Sequence, residues 1–294
     1  MSGRARIEWV RRNGELGSTW NPVTGCTPIS PGCENCYARQ YASRLIAVPG
    51  VRERTKRQYR KWALGPMVWP DRLREPYGWS PRAIFVCSMA DLFHCGVGYE
   101  TLVTIWRVMR DNPRHLFLVL TKRPERAEAD VPVIQAQLDI EAPLRNVWMG
   151  VTGETHGYAV KRTAILGRVP AALRFLSYEP ALGPVDIHAC SAIDWVIAGG
   201  ETGHNARPPH PGWFARVRDA CVERAIPFFF KGHGAWVPAG AKAPDNGAGV
   251  ALVDGGDGLR AHKMRRGRGV RHLDGTPWTE IPKEPQQFQN KSAI

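Results

Sequence analysis

The chain has no run of about 18 apolar residues, the length a helix needs to cross a bilayer, and its opening, MSGRARIEWVRR, lacks the apolar core of a secretory signal. A cytoplasmic globular protein with no membrane partner is the expectation. The seven cysteines are odd in number and lack the spacing of a disulfide framework, so reduced thiols are expected. Acidic residues are scarce: 27 Asp and Glu face 40 Lys and Arg, a net charge of +13. The basic excess gathers in RERTKRQYRK, ending at Lys61, and in RAHKMRRGRGVR over 260–271. Such fields favour polyanions, DNA or RNA above all, although a solvated surface or a basic tail has the same composition.

What the chain does have is length and apolar content. Its 294 residues, 43% of them hydrophobic, suffice for one large barrel or two ordinary domains. Apolar runs of strand length recur at 19–25, 83–89, 115–121, 146–152, 173–179, 194–200 and 227–231, with helix-length segments between most of them. Ala38, Tyr41, Ala42, Leu45 and Ile46 share one helical face, as do Leu102, Ile105, Trp106 and Met109 before the stop at Asn112-Pro113. HGYAVKRTAILGRV and GWFARVRDACVERA read as later crossover helices. Seven such units in series predict an α/β fold, a full or partial TIM-like (β/α) barrel over 19–234, with a doubly wound sheet as the alternative.

Residues 1–18 read as an N-terminal extension. A basic insertion with a Pro/Trp-rich stretch occupies 48–82, and 235–294 reads as an irregular basic C-terminal extension. Trp62, Trp69 and Trp79 alternate with Arg and Lys in the insertion, an arrangement that suits either base stacking or the packed wall of a lid.

Ionisable residues follow the apolar runs: Asp91, Lys122, Glu154, Glu179, Glu201 and Lys231. Parallel strands of a barrel direct their carboxyl ends to one rim, so these six side chains are expected to meet at one mouth. Carboxylates and ammonium groups gathered there would bind a zwitterionic ligand. Arg123 and Arg207 are candidate anion contacts, and His94-Cys95 lies beside Asp91.

Cys26, Cys33 and Cys36 fall in GCTPISPGCENCYARQYASRL, where Gly25, Pro28, Pro31 and Gly32 mark a loop. Three thiols with no fourth nearby point to metal. Structural zinc takes four protein ligands, whereas a [4Fe–4S] cluster held by three cysteines keeps one iron open for an amino acid chelating through amine and carboxylate, as S-adenosylmethionine does. Cys87 and Cys221 read as small core residues and Cys190 as a loop residue.

The ordered blocks TWNPVTGC…SPGCENCYA, SMADLFH, LTKRPER, WMGVTGET, FLSYEPALGPVD, DWVIAGGETGHNARP, FFFK and LDGTPWTEIP resemble the three-cysteine-motif proteins of bacteriophages and prophages, which are radical S-adenosylmethionine-like and distantly similar to spore photoproduct lyase. The resemblance runs from Thr19 to Pro282. It implies a barrel of the radical S-adenosylmethionine type, a [4Fe–4S] cluster on Cys26, Cys33 and Cys36, S-adenosylmethionine as cofactor and an electron donor as partner. On this resemblance Ser88 and Asp91 stand where the methionyl amine is bound, and Lys122 where the carboxylate is paired. Glu154, Glu179 and Glu201 would face cofactor ribose or substrate, and Arg123, Arg207 and Lys231 would contact substrate. The chain departs from the pattern in having six residues rather than three between its first two cysteines, and Asn35 in place of an aromatic before the last. GGE at 199–201 follows the sixth strand rather than the second, and KGHG at 231–234 shares only Lys231 with the usual Lys-Gln-Trp-Gly block.

The resulting expectation is a radical enzyme acting on nucleic acid, for base repair or modification. A radical enzyme acting on a protein or small metabolite, and a non-catalytic nucleic-acid-binding protein stabilised by zinc or a cluster, are the alternatives.

Overall fold

Strands covered on both faces should be apolar throughout rather than alternating, and seven such strands form the centre of the molecule. The computed structural model describes residues 3–4, 7–60, 65–238, 247–252, 259–264 and 271–283. The strands are β1 (Ser18–Trp20), β2 (Ala83–Val86), β3 (Leu116–Thr121), β4 (Val147–Thr152), β5 (Leu173–Tyr178), β6 (Trp195–Gly199) and β7 (Phe228–Gly232). All seven are parallel and pair in sequence order, forming a curled half-barrel. A doubly wound sheet reverses its order at a switch point; here no reversal occurs, and that alternative is excluded.

Helices α1 (Tyr37–Ala47) and α2 (Glu53–Arg60) lie between β1 and β2, and α3 (Tyr99–Asp111) follows β2. Then α4 (Pro124–Gln137), α5 (His156–Leu166) and α6 (Pro211–Glu223) follow β3, β4 and β6. Ile84, Val86, Phe117, Val119, Leu176 and Tyr178 face this helical layer, packing with residues such as Ile105, Trp106, Ile134 and Phe214. The alternate residues Phe85, Leu118, Trp148, Phe175, Trp195, Ile197 and Phe229 fill the concave side. Phe175 packs where a side chain on Gly150 would stand: a Cβ there would lie 2.3 Å from the Phe175 ring. Aromatic contacts such as Phe175–Trp195 at 5.7 Å and Trp148–Trp195 at 6.1 Å make the interior a packed core rather than a channel.

The first two apolar runs are longer than their strands. Pro22 has no N–H for a ladder, so β1 stops at Trp20 and Val23–Thr24 pairs with Met67–Val68 instead. β2 ends at Val86 because Cys87 takes a positive φ of 56°.

Described segments from both extensions pack against the barrel. Gly3–Arg4 pairs antiparallel with β1, while Trp9 and Val10 enter the concave core, Trp9 lying 5.0 Å from Phe85. At the other edge Thr279 bridges to Phe229, and the Phe230 N–H donates to the Trp278 carbonyl at 2.9 Å. The outer edges of β1 and β7 are thus covered rather than left open for pairing with another chain. Arg271 forms an ion pair with Glu8, joining the two end segments. Within 235–294 the described residues also form a three-stranded antiparallel sheet of Trp236–Pro238, Arg260–Met264 and Gly247–Leu252, so this extension contains regular structure.

In the insertion Trp69 is buried; its indole N–H donates to Thr24 Oγ1 at 2.8 Å and the Arg72 guanidinium lies 3.6 Å above its ring. That ring is wall packing and has no face open to a base. Trp62 and Lys61 lie outside the described residues, as do 265–270 of the second basic patch. Cys87, Cys190 and Cys221 are buried. No helix among the described residues is long and apolar enough to cross a membrane.

Replacing Trp9 by Ala leaves a large hole in the concave core. It should lower unfolding stability by about 3 kcal/mol in urea titrations, whereas removal of a detached extension would leave the midpoint unchanged.

Candidate functional site at the carboxyl rim

Side chains along a strand alternate between faces, so the inward series of each strand fixes what reaches the mouth. In β3 the series Leu116, Leu118, Leu120 leads to Lys122. In β4 Trp148, Gly150 and Thr152 lead to Glu154; in β5 Phe175 and Ser177 lead to Glu179; in β6 Ile197 and Gly199 lead to Glu201; in β7 Phe229 leads to Lys231. Two cross-strand ion pairs result. Lys122 Nζ lies 3.2 Å from Glu154 Oε1, and Lys231 Nζ lies 2.5 Å from Glu179 Oε2.

Glu154 is fully buried. Its Oε2 accepts from Arg162 Nη1 at 2.7 Å, and the same guanidinium nitrogen donates to the Thr152 carbonyl at 2.7 Å. Burial alone would push this carboxyl up; Lys122 and Arg162 outweigh it and hold the pKa below the usual 4.5. The group is therefore an anion whose charge is answered on two sides.

Asp91 is the second anchor. Its Oδ1 accepts from Thr121 Oγ1 at 2.7 Å and from the Phe93 N–H at 3.0 Å, and its Oδ2 accepts from the Lys122 N–H at 2.9 Å. Arg123 Nε stands 3.9 Å from Oδ2, while Arg123 Nη2 donates to the Thr27 carbonyl at 2.9 Å. His94 Nε2 and Thr27 Oγ1 are 2.7 Å apart, and burial lowers the His94 pKa, which keeps the ring neutral. Ser88 Oγ donates to Asn21 Oδ1 at 3.1 Å, and its carbonyl accepts from the Tyr37 hydroxyl.

The cysteine loop lies across this rim. Cys26 follows the short strand Val23–Thr24, Cys33 ends the 3-10 turn Pro31–Cys33, and Cys36 caps α1. All three are free thiols of intermediate exposure. A Cβ on Gly32 would stand 2.9 Å from Lys122 Nζ and 3.0 Å from Glu154 Oε1, so the loop rests directly on that ion pair and a side chain at this position would press the lysine aside. Burial pushes the Cys33 thiol up, but a backbone hydrogen bond at Ile29 and the Lys122 charge outweigh it and hold its pKa below 9.0. Burial and the Asp91 carboxylate push Cys26 up to about 11. Among the described residues no group of three or more His, Cys, Asp or Glu side chains is gathered around a single-ion site.

The far end of the loop is latched by the segment after β6. Glu201 accepts from Arg207 through both oxygens, Nε to Oε2 at 2.9 Å and Nη2 to Oε1 at 2.6 Å, and from Asn35 Nδ2 at 3.0 Å. Arg207 also donates to Glu34 Oε2 and to the Pro31 carbonyl, each at 3.0 Å. Burial would raise the Glu201 pKa; Arg207 and Asn35 hold it low. Glu201 and Arg207 are thus occupied with each other and with the loop, whereas Lys122, Glu179 and Lys231 are part-exposed at the mouth.

Arg162, Asn35, Asn21, Tyr37 and Thr27 are members of the site that motif reading does not single out. Arg162 left a signal: Ala159, Arg162, Thr163 and Leu166 share the buried face of α5, and an arginine on such a face requires a buried acid. The others are recognisable only from tertiary contacts.

Changing Glu154 to Gln leaves Lys122 and Arg162 without their counter-charge and should cost about 3 kcal/mol at neutral pH, read by urea unfolding. Because the folded-state pKa is depressed, the stabilisation is fully present above 4.5 and disappears as pH falls through the lower folded value. The Gln variant should therefore show a flatter stability profile on acidification. Arg207→Ala should release the latch, and hydrogen exchange over residues 30–36 should quicken by at least about tenfold while exchange in β3 to β6 stays unchanged.

Neither a curated protein nor a solved structure matches this chain. A family model does, and its match begins at the strand that covers β1, takes in the cysteine loop and all six rim residues, and ends beyond the segment that covers β7. By that match over residues 4–282, the chain belongs to the family described as Protein of unknown function (DUF5131).

Proposed function

We propose that this protein is a radical S-adenosylmethionine enzyme in which Cys26, Cys33 and Cys36 hold a [4Fe–4S] cluster, with a nucleic acid as its substrate. One observation carries the reading: a loop bearing three free thiols rests on the Lys122–Glu154 pair at the mouth of a half-barrel. The donor set fits such a cluster. Three thiols without a fourth leave one iron of a cube open, whereas closed structural zinc requires four ligands.

When bound, the reduced cluster would supply the electron that cleaves the sulfonium of S-adenosylmethionine to a hydrogen-abstracting 5′-deoxyadenosyl radical. The chain's own residues bind and orient. Lys122 presents an ammonium to the methionyl carboxylate, and Glu154, held from behind by Arg162, keeps that ammonium aimed. Asp91, tied to Thr121 and to the Lys122 backbone, and Ser88, tied to Asn21, offer oxygens to the methionyl amine. Glu179 and Lys231 face the ribose or the substrate, and Arg123 supports Thr27 beside Cys26. Arg207 and Glu201 hold the loop down, which excludes water from the mouth.

A second reading, a nucleic-acid-binding protein whose metal is only structural, draws on the net charge of +13 and on the Glu201–Arg207 latch, which fixes a loop without needing chemistry. It predicts no cleavage of S-adenosylmethionine.

Protein purified without oxygen should contain about four iron and four sulfide per chain, and with dithionite and S-adenosylmethionine it should release 5′-deoxyadenosine. Cys33→Ala should lose both the brown chromophore and the nucleoside product. Iron-free protein carrying one tight zinc would overturn the proposal.

A further inference from the structure

Beside the rim a cavity of about 290 Å³ opens between the first turn of α4 and the first two turns of α5. Its wall carries five cations, Lys122, Arg123, Arg126, Lys161 and Arg162, against the single acid Glu125. The other carboxylates of the neighbourhood stand behind the cations and do not line the space. Glu154 holds both Lys122 and Arg162, Asp91 lies 3.9 Å from Arg123 Nε, and Asp130 accepts from Arg126 at 2.9 Å. Glu125 pairs with Lys161 at 3.0 Å, but both side chains are more than half exposed. Such a pair contributes little and yields readily to a stronger anion. Arg123 Nε, moreover, is buried with no hydrogen-bond partner.

We propose that this cavity binds the phosphate group of a nucleotide. Arginines and lysines converging from several elements match the charge and oxygen spacing of phosphate. The volume is small for a whole ligand and suits a phosphate with part of its sugar. Ile29 and Phe93 supply apolar wall for that sugar, and Arg162 is steadied over the Tyr158 ring at 4.3 Å. Lys122 belongs both to the cavity and to the mouth, so a strand whose base enters the mouth seats a neighbouring phosphate here. This deepens the proposed function and, for its polynucleotide form, rests on it; a free nucleotide would present the same phosphate.

Cys95, exposed on the cavity wall, supplies a probe. Alkylation of the full-length protein by iodoacetamide, followed peptide by peptide in a mass spectrometer, is measured with a short oligothymidylate and separately with thymidine monophosphate. One or both should slow Cys95 alkylation several-fold at low salt, with the protection fading as salt is raised. Protection by the oligomer alone assigns the site to a strand, and equal protection by the monomer assigns it to a free nucleotide. Lys161→Glu should shift the protecting concentration upward about tenfold, whereas Lys283→Glu, an equal charge change at an exposed site elsewhere, should not. No slowing by either compound, or undiminished protection in the Lys161 variant, overturns the proposal. Unprotected Cys95 in a protein that still releases 5′-deoxyadenosine removes the phosphate site alone; protection without that product removes the enzyme reading alone.

Discussion

The buried carboxylate of Glu154 is the interaction on which the rest of the rim depends. It sits without solvent contact between Lys122 and Arg162, and Gly32 brings the thiol loop down onto its pair with Lys122. An unpaired charge at that depth would be prohibitive, and a doubly paired one fixes the positions of both cations. One of those cations faces the mouth and the other backs the cationic cavity, so a single acid aligns two surfaces. Replacing it by an apolar residue would free both.

The loop itself is held at two ends by different means. Near Cys26 the contacts are Arg123 and His94 to Thr27; past Cys33 they are Arg207 and Asn35 to Glu201. Apart from the bridge at Gly25 and the short 3-10 turn Pro31–Cys33, the loop between Gly25 and Cys36 has no regular structure, so these clamps help to fix its shape. This is why Glu201, although it follows a strand like the other rim acids, acts on the loop and not on the space of the mouth.

Much of this was legible in the chain, and the reason is the burial of both strand faces. Runs such as HLFLVLT and NVWMGVT have no polar alternation to confuse them with surface strands, and the ionisable residue after each run inherits its inward phase. The partial barrel and the gathering of Lys122, Glu154, Glu179 and Lys231 follow from that. What could not be read is carried by contacts far apart in sequence. Asn35 meets Glu201 across 166 positions, and Arg271 meets Glu8 across 263. Trp9 resembles any exposed tryptophan of a basic leader until the concave space it occupies is known, and for Trp69, where the sequence suits either base stacking or the wall of a lid, the fold gives the wall.

The covering of the two sheet edges has a mechanical corollary. A closed barrel can widen only by breaking a ladder between parallel strands, with every bond along it lost together. Here the outer edges of the outermost strands meet, among the described residues, the segments at 3–4 and 278–279, and the two end segments are tied to each other through the Glu8–Arg271 pair. Among the described residues the weakest line in the wall therefore runs between these two segments, where parting requires that pair and nearby packing to give way while the carboxyl rim keeps its geometry.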